Sequence, residues 1–409
     1  MSLNSTLSAD RIHIGIFGRR NAGKSSLINA LTSQNLAIVS DVKGTTTDPV
    51  YKAMELLPIG PVMMIDTPGI DDEGELGKLR IQKAYQVLNK TDIAVLVVDS
   101  ANGLTNEDKE LLTHIKSKNI PFLLVFNKSD SVTDEQQQKL IKNLTVPYLF
   151  VSAQSGEHIH ELKELLPKLL PETKPRELVG DLLQPLDTVV LVTPIDNAAP
   201  KGRLILPQQQ VLRNVLDHNA IAMVVQESQL ANALAQLKNP PRLIITDSQA
   251  FGAVANIADP SIPLTSFSIL FARYKGSLAN AVAGVKALQT IQDGDKILIS
   301  EGCTHHRQCN DIGTVKLPGW IKRYTGKNPE FVFTSGTEFP LDLSPYKMIV
   351  HCGGCMLNDR EMLYRYKCAA EQNIPMTNYG ILIAHINGIL KRSIAPLPDI
   401  AGLIVNSKK

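Results

Sequence analysis

The sequence predicts an α/β protein in three parts: a larger doubly wound, mostly parallel sheet, followed by two smaller α/β domains. Three observations carry that reading. Short β-rich runs alternate with helix-length amphipathic segments along most of the 409 residues. A proline-rich stretch (Pro167, Pro171, Pro175) breaks the alternation once. The alternation then resumes with shorter units. The expected division is 1–172, a linker at 173–182, a small domain at 183–262 and a last domain at 263–409.

In the first part the predicted strands are 12–17, 62–65, 93–98, 122–126 and 148–151. In the second they are 188–192, 220–225 and 242–246, each followed by a helix, near 208–217, 228–237 and 248–257. The third opens with an Ala/Leu-rich helix at 278–291 and continues with strands 296–300, 330–334 and 348–350 and a helix at 359–372.

Composition is ordinary for a globular chain, with 44% hydrophobic and 20% charged residues and a net charge of +2. The basic footprint of a nucleic-acid binder is missing, and 5% aromatic residues leave little for base stacking. Residues 1–10 are polar, and no apolar run approaches the roughly 18 residues of a membrane span. All five cysteines (303, 309, 352, 355, 368) fall in the last third, and an odd count with a CxxC pair argues against a secreted disulfide framework. The expectation is a soluble cytoplasmic protein with no membrane and no nucleic-acid partner.

Gly18-Arg-Arg-Asn-Ala-Gly-Lys-Ser25 fits GxxxxGK[ST] between a strand and a helix. Backbone N–H groups from Asn21, Ala22, Gly23 and on to Ser26 can wrap phosphates, Lys24 reaches the β and γ phosphates, and Ser25 ligates Mg2+. Asp66-Thr-Pro-Gly69 closes the next core strand, with Asp66 on the magnesium side through water and the Gly69 N–H toward the γ-phosphate. Asn127-Lys128-Ser-Asp130 reads guanine, because one carboxylate can accept both N1–H and the exocyclic amine. Ser152-Ala153 fits the loop that backs up this contact. The order of these motifs makes GTP the nucleotide.

Over residues 12–170 this set resembles the Era/MnmE-like GTPases, which implies GTP hydrolysis. Gly44-Thr-Thr-Thr-Asp48 is similar to their switch I, which puts Thr46 on Mg2+. Ile70 follows the DTPG motif where other GTPases carry a water-orienting glutamine, and isoleucine cannot do that work. In cation-activated members an Asn at the position of Asn21 helps bind K+ near the phosphates, so the resemblance implies K+ stimulation. The plainer reading of Asn21 is a turn residue.

Cys303-Thr-His305 and His351-Cys352-Gly-Gly-Cys355 are soft metal-ligand sets, each just after a predicted strand, where open parallel sheets bind ligands. Three thiolates can hold a cubane iron-sulfur cluster and leave its fourth iron to His305, His351, Asp311 or an external molecule. A structural Cys3His zinc fits the same donors. Cys368 reads as a packed core thiol; Cys309 is either a spare ligand or a partly buried free thiol.

The combination of CTHH and HCGGC behind an Era-like GTPase resembles the HydF family of FeFe-hydrogenase maturation GTPases. The resemblance spans essentially the whole chain. It implies a homodimer formed through the middle domain and a 4Fe–4S cluster on Cys303, Cys352 and Cys355. It further implies a scaffold or carrier that receives a transient di-iron precursor and delivers it to apo FeFe-hydrogenase, with two radical-SAM maturases as further partners. The competing class is a GTP-regulated RNA or ribosome assembly factor with a structural zinc module.

Overall fold

The computed structural model describes residues 8–32, 48–70, 74–171, 176–194, 204–302, 311–336, 338–397 and 400. The chain divides into two compact units, 1–174 and 175–409.

The first unit is built on a six-stranded sheet in the order β2-β3-β1-β4-β5-β6. Its strands are β1 (Ile12–Phe17), β2 (Val50–Leu56), β3 (Gly60–Asp66), β4 (Ile93–Asp99), β5 (Phe122–Asn127) and β6 (Tyr148–Phe150). All neighbours are parallel except β2, which pairs antiparallel to β3 at the edge. The central strands alternate apolar residues between two buried faces. Ile14, Ile16, Val95, Val97 and Val125 enter one core, and Phe17, Leu96, Val98, Leu124 and Phe126 enter the other. A sheet covered on both faces needs near-continuous apolar strands, and these are such strands. Because β1, β3, β4 and β5 run the same way, their carboxyl ends share one edge, with Ile16 beside Asp66 and Asp99 beside Asn127.

The second unit holds two four-stranded parallel sheets, in the orders β10-β9-β7-β8 and β12-β11-β13-β14. The first comprises β7 (Thr188–Val192), β8 (Ile221–Val225), β9 (Leu243–Thr246) and β10 (Leu264–Ser266); the second comprises β11 (Lys296–Glu301), β12 (Glu330–Ser335), β13 (Met348–His351) and β14 (Met376–Asn378). β10 lies just beyond the expected division at 262/263 and pairs with β9. One apolar core runs through both sheets, from Val190 and Ile244 to Ile297, Ile299 and Val350. The opposite face of the last sheet, with Leu298 and Ile349, packs on Met362, Tyr366 and Ala369 of the helix Asp359–Glu371.

The expected long helix at 278–291 is an α-helix, Leu278–Gly284, followed by a 3-10 turn, Val285–Thr290. Among the described residues no helix is long and apolar enough to cross a membrane.

Candidate functional site

The nucleotide motifs meet at the carboxyl edge of the first sheet. Gly23 has φ +89°, and a Cβ there would lie 2.1 Å from Asn127 Nδ2, so only glycine lets the loop pass. Asn127 pins that loop. Its Nδ2 donates to Ala22 O (3.0 Å) while its Oδ1 accepts from Ala153 N (3.0 Å), which ties the phosphate loop to the Ser152-Ala153 loop across the sheet end. Ser152 is fully buried, and its Oγ accepts from Ser155 N (3.1 Å). Lys128 is left-handed (φ 62°), and its ammonium reaches Asp99 Oδ2 (2.6 Å). Asp130 is exposed, which leaves its carboxylate at the rim where a base would sit.

Lys24 starts the helix Lys24–Thr32, is 9% exposed, and donates to Gly18 O (2.9 Å) and Arg19 O (2.8 Å). Ser25 Oγ donates to Asp66 Oδ2 (2.7 Å), so the two magnesium-side residues stand together. Burial pushes the Asp66 carboxyl up, against the Ser25 hydrogen bond and the charges of Lys24 and Lys52. A divalent cation beside it would favour the ionised form. Asn21 also has positive φ (59°), and Gly69 follows the buried Thr67, whose Oγ1 donates to Ile16 O (2.7 Å). Ile70 is buried with Met63 and Ile65. Thr46 lies outside the described residues.

In the second unit, β11 and β13 are neighbours, with Ser300 beside His351. Their carboxyl ends therefore lie side by side, β11 ending two residues before Cys303 and β13 one residue before Cys352. Gly302 N–H donates to Cys352 Sγ (3.0 Å), as does Gly354 N–H (3.4 Å). Gly354 has φ +64°, and a Cβ there would lie 2.6 Å from Met362 Sδ. Burial pushes the Cys355 thiol up to about 11; Cys352 adds to the rise and Lys275 opposes it. A soft metal would bind these sulfurs by displacing their protons, and peptide N–H groups already turned on Cys352 suit a thiolate ligand. Cys303, His305 and Cys309 lie outside the described residues, and among the described residues no group of three metal-binding side chains gathers. Cys368 is half-buried against the Leu298 core, as a packing thiol would be.

His351 is one of the candidates for the fourth iron position. Its Nδ1 meets Cys352 O (2.8 Å) and its Nε2 meets Arg365 Nη1 (2.9 Å), so both ring nitrogens are engaged. Asp311 Oδ2 accepts from Thr314 N (2.8 Å) and Thr314 Oγ1 (2.9 Å), which caps the following turn.

Three residues that sequence reasoning passed over frame this site. Arg365 is fully buried, and its guanidinium contacts Glu361 Oε1 (2.9 Å), Ser300 Oγ (3.2 Å), His351 Nε2 and Gly336 O (2.8 Å). It thus ties together β11, β13, the turn after β12 and the helix Asp359–Glu371. Lys275 is 3% exposed, donates to Leu357 O and stands 3.5 Å from Asp359 Oδ1. Tyr379 Oη donates to Glu301 Oε1 (3.1 Å); burial first, then the nearby Cys352 and Glu301, holds its hydroxyl well above the usual range.

A parallel sheet whose strand ends carry a phosphate loop, DTPG and NKxD defines a P-loop GTPase domain, joined here to a second body with paired thiols. Family models agree. Residues 13–128 match a 50S ribosome-binding GTPase model, 178–276 the hydrogen maturase F dimerization domain, and 279–396 the hydrogen maturase F tetramerization domain. The two maturase models together span more than half of the chain, and the chain belongs to the hydrogen maturase F (HydF) family. Both are models of oligomerisation domains, where the sequence reading expected a dimer through the middle domain and a cluster-binding domain behind it.

Curated relatives include the tRNA modification GTPase MnmE of Nitrosomonas europaea, 35% identical over 41% of this chain and 36% of that protein. Another is the GTPase Der of Nitratidesulfovibrio vulgaris, 31% identical over 44% of this chain and 39% of that protein. The chain thus spans little more than a third of the length of these relatives. Among solved structures, Aquifex aeolicus Era bound to GDP·AlF4− matches with a TM-score of 0.37 and 22% identity, over 52% of this chain and 92% of that one.

Proposed function

We propose that this GTPase holds a 4Fe–4S cluster on Cys303, Cys352 and Cys355 and, as a homo-oligomer in the cytoplasm, carries a di-iron precursor to apo FeFe-hydrogenase. The observation that carries the reading is the Gly302 N–H to Cys352 Sγ bond, which puts the residue before Cys303 against the CGGC turn. A cluster bound there would supply an iron open to exchange, suited to a cargo that must be held and then released. The two radical-SAM maturases are the proposed source of that cargo. Self-association is proposed through β8, an edge strand that exposes Ile221 and Val224.

In the nucleotide site, Lys24 is assigned to the β and γ phosphates, Ser25 and Thr46 to Mg2+ with Asp66 behind them, and Asp130 to the guanine edge. With Ile70 buried, the missing charge or water contact is assigned to K+ at Asn21; equal hydrolysis rates in Na+ and K+ would remove that assignment. Nucleotide state is proposed to act on release of the cargo through the segments around Thr46 and after Gly69. Normal hydrogenase maturation by Lys24→Ala would break that link.

The main test is anaerobic reconstitution with iron and sulfide, followed by metal analysis and EPR of the reduced protein. Cys303→Ala, Cys352→Ala and Cys355→Ala should each lose the signal, and Cys368→Ala should keep it. Tightly bound zinc with no iron uptake would overturn the cluster.

A further inference from the structure

The helix Phe267–Tyr274 follows β10 and belongs to the segment matched by the dimerization model, yet one of its faces looks at the CGGC turn. Ser268 and Lys275 lie two helical turns apart and so share a face. A Cβ built on Gly353 would lie 3.6 Å from Ser268 Oγ and 3.9 Å from its Cα, so the helix packs directly on the turn between the two cysteines. Ser268 Oγ is buried and has no hydrogen-bond partner among the described residues. An unpaired buried hydroxyl is destabilising, and a sulfur acceptor in front of it would offset that cost.

Lys275 caps the same helix. Its carbon stem is buried, and its ammonium is held by Leu357 O, two residues past Cys355, with Asp359 further out. A cubane on three thiolates carries net negative charge, and that charge grows when an electron is added. A fixed positive charge in a low-dielectric wall favours the more negative state.

We propose that this helix forms the electropositive wall of the cluster cradle, with Lys275 raising the reduction potential of the cluster and Ser268 donating a hydrogen bond toward its sulfur. The inference rests on the cluster reading above and deepens it: a residue of the segment matched as a dimerization domain sets the electronic state of the centre. Lys275 acts here as a positioning and tuning residue and ligates nothing.

The test uses the full-length reconstituted protein and a dithionite titration followed by EPR, with iron content measured on every sample. Lys275→Met should bind wild-type amounts of iron and be reduced with an equilibrium constant at least tenfold lower, a fall of about 59 mV for one electron. Lys275→Arg should restore the wild-type midpoint, and Ser268→Ala should shift it the same way by less. If Lys275→Met loses iron while Lys275→Arg keeps it, the charge holds the cradle together rather than setting the potential, and the proposal is overturned. An unchanged midpoint at full iron content, or the same loss in the Met and Arg variants, would overturn it. Failure of the wild-type protein to take up iron marks a different failure, that of the cluster reading itself, and the inference falls with it.

Discussion

Replacing Arg365 by alanine removes a guanidinium that holds four separate backbone segments at the carboxyl end of the last sheet. Its side chain has no exposure, and that of its ion-pair partner Glu361 has 7%. The loss therefore leaves a buried carboxylate without its cation, takes the Arg365 contact from His351 and Gly336 O, and leaves Ser300 Oγ with Thr334 Oγ1 alone as donor. Breaking a buried pair from one side costs about 3–5 kcal/mol. With a urea dependence of about 1–3 kcal/mol per molar, the midpoint should fall by more than about 1 M. The single tryptophan, Trp320, packs against the core of the second unit, so its fluorescence reports unfolding of that unit without a signal from the GTPase domain. The double variant Glu361→Gln/Arg365→Met leaves no orphaned charge and should recover part of the loss. A drop below about 1 kcal/mol for Arg365→Ala, or a double variant less stable than the single one, would refute the network as the tie between β11 and β13.

Gly23→Ala forces a Cβ onto Asn127 at positive φ; it should cost about 1–3 kcal/mol of local strain and weaken GTP binding at least about tenfold, read by nucleotide titration. Lys24→Ala should leave thermal unfolding near wild type and cut GTP turnover by about a hundredfold or more, read by phosphate release. Ile221→Lys with Val224→Lys puts charge on the β8 edge and should lower the oligomer mass seen by light scattering at equal concentration. Asp181 is held below its usual pKa, chiefly by its bond to Arg273. A depressed folded value means that its contribution is present above the ordinary Asp range near about 4 and is lost as pH falls through the folded value. Asp181→Asn should therefore flatten that part of the acid-unfolding profile.

The nucleotide site was legible because its chemistry demands particular residues at fixed spacing, and the strand before each motif showed as an apolar run. The edge strand β2 was not: its burial is uneven from Val50 to Glu55, and a half-exposed edge leaves little periodic signal. The run Tyr379–Ile386 is helical and almost wholly buried, and an apolar stretch of that length reads equally as strand or helix. Glu361 and Arg365, four apart on a helix, look in sequence like a solvated surface pair; only the packing of that helix on β11 and β13 buries them. His351 adjoins Cys352 and so was one candidate ligand; that its imidazole meets Arg365 depends on the packing of the helix Asp359–Glu371, which the sequence pattern does not carry.

Val190 and Ile299 share one apolar interior, so the two small sheets are expected to melt as a single unit. Neither can be loosened alone, since withdrawing one would leave the other with a bare hydrocarbon face in water. The β8 edge and the cysteine turn at the end of β13 therefore draw on one reserve of stability. A lesion that softens either is felt as heat sensitivity in both.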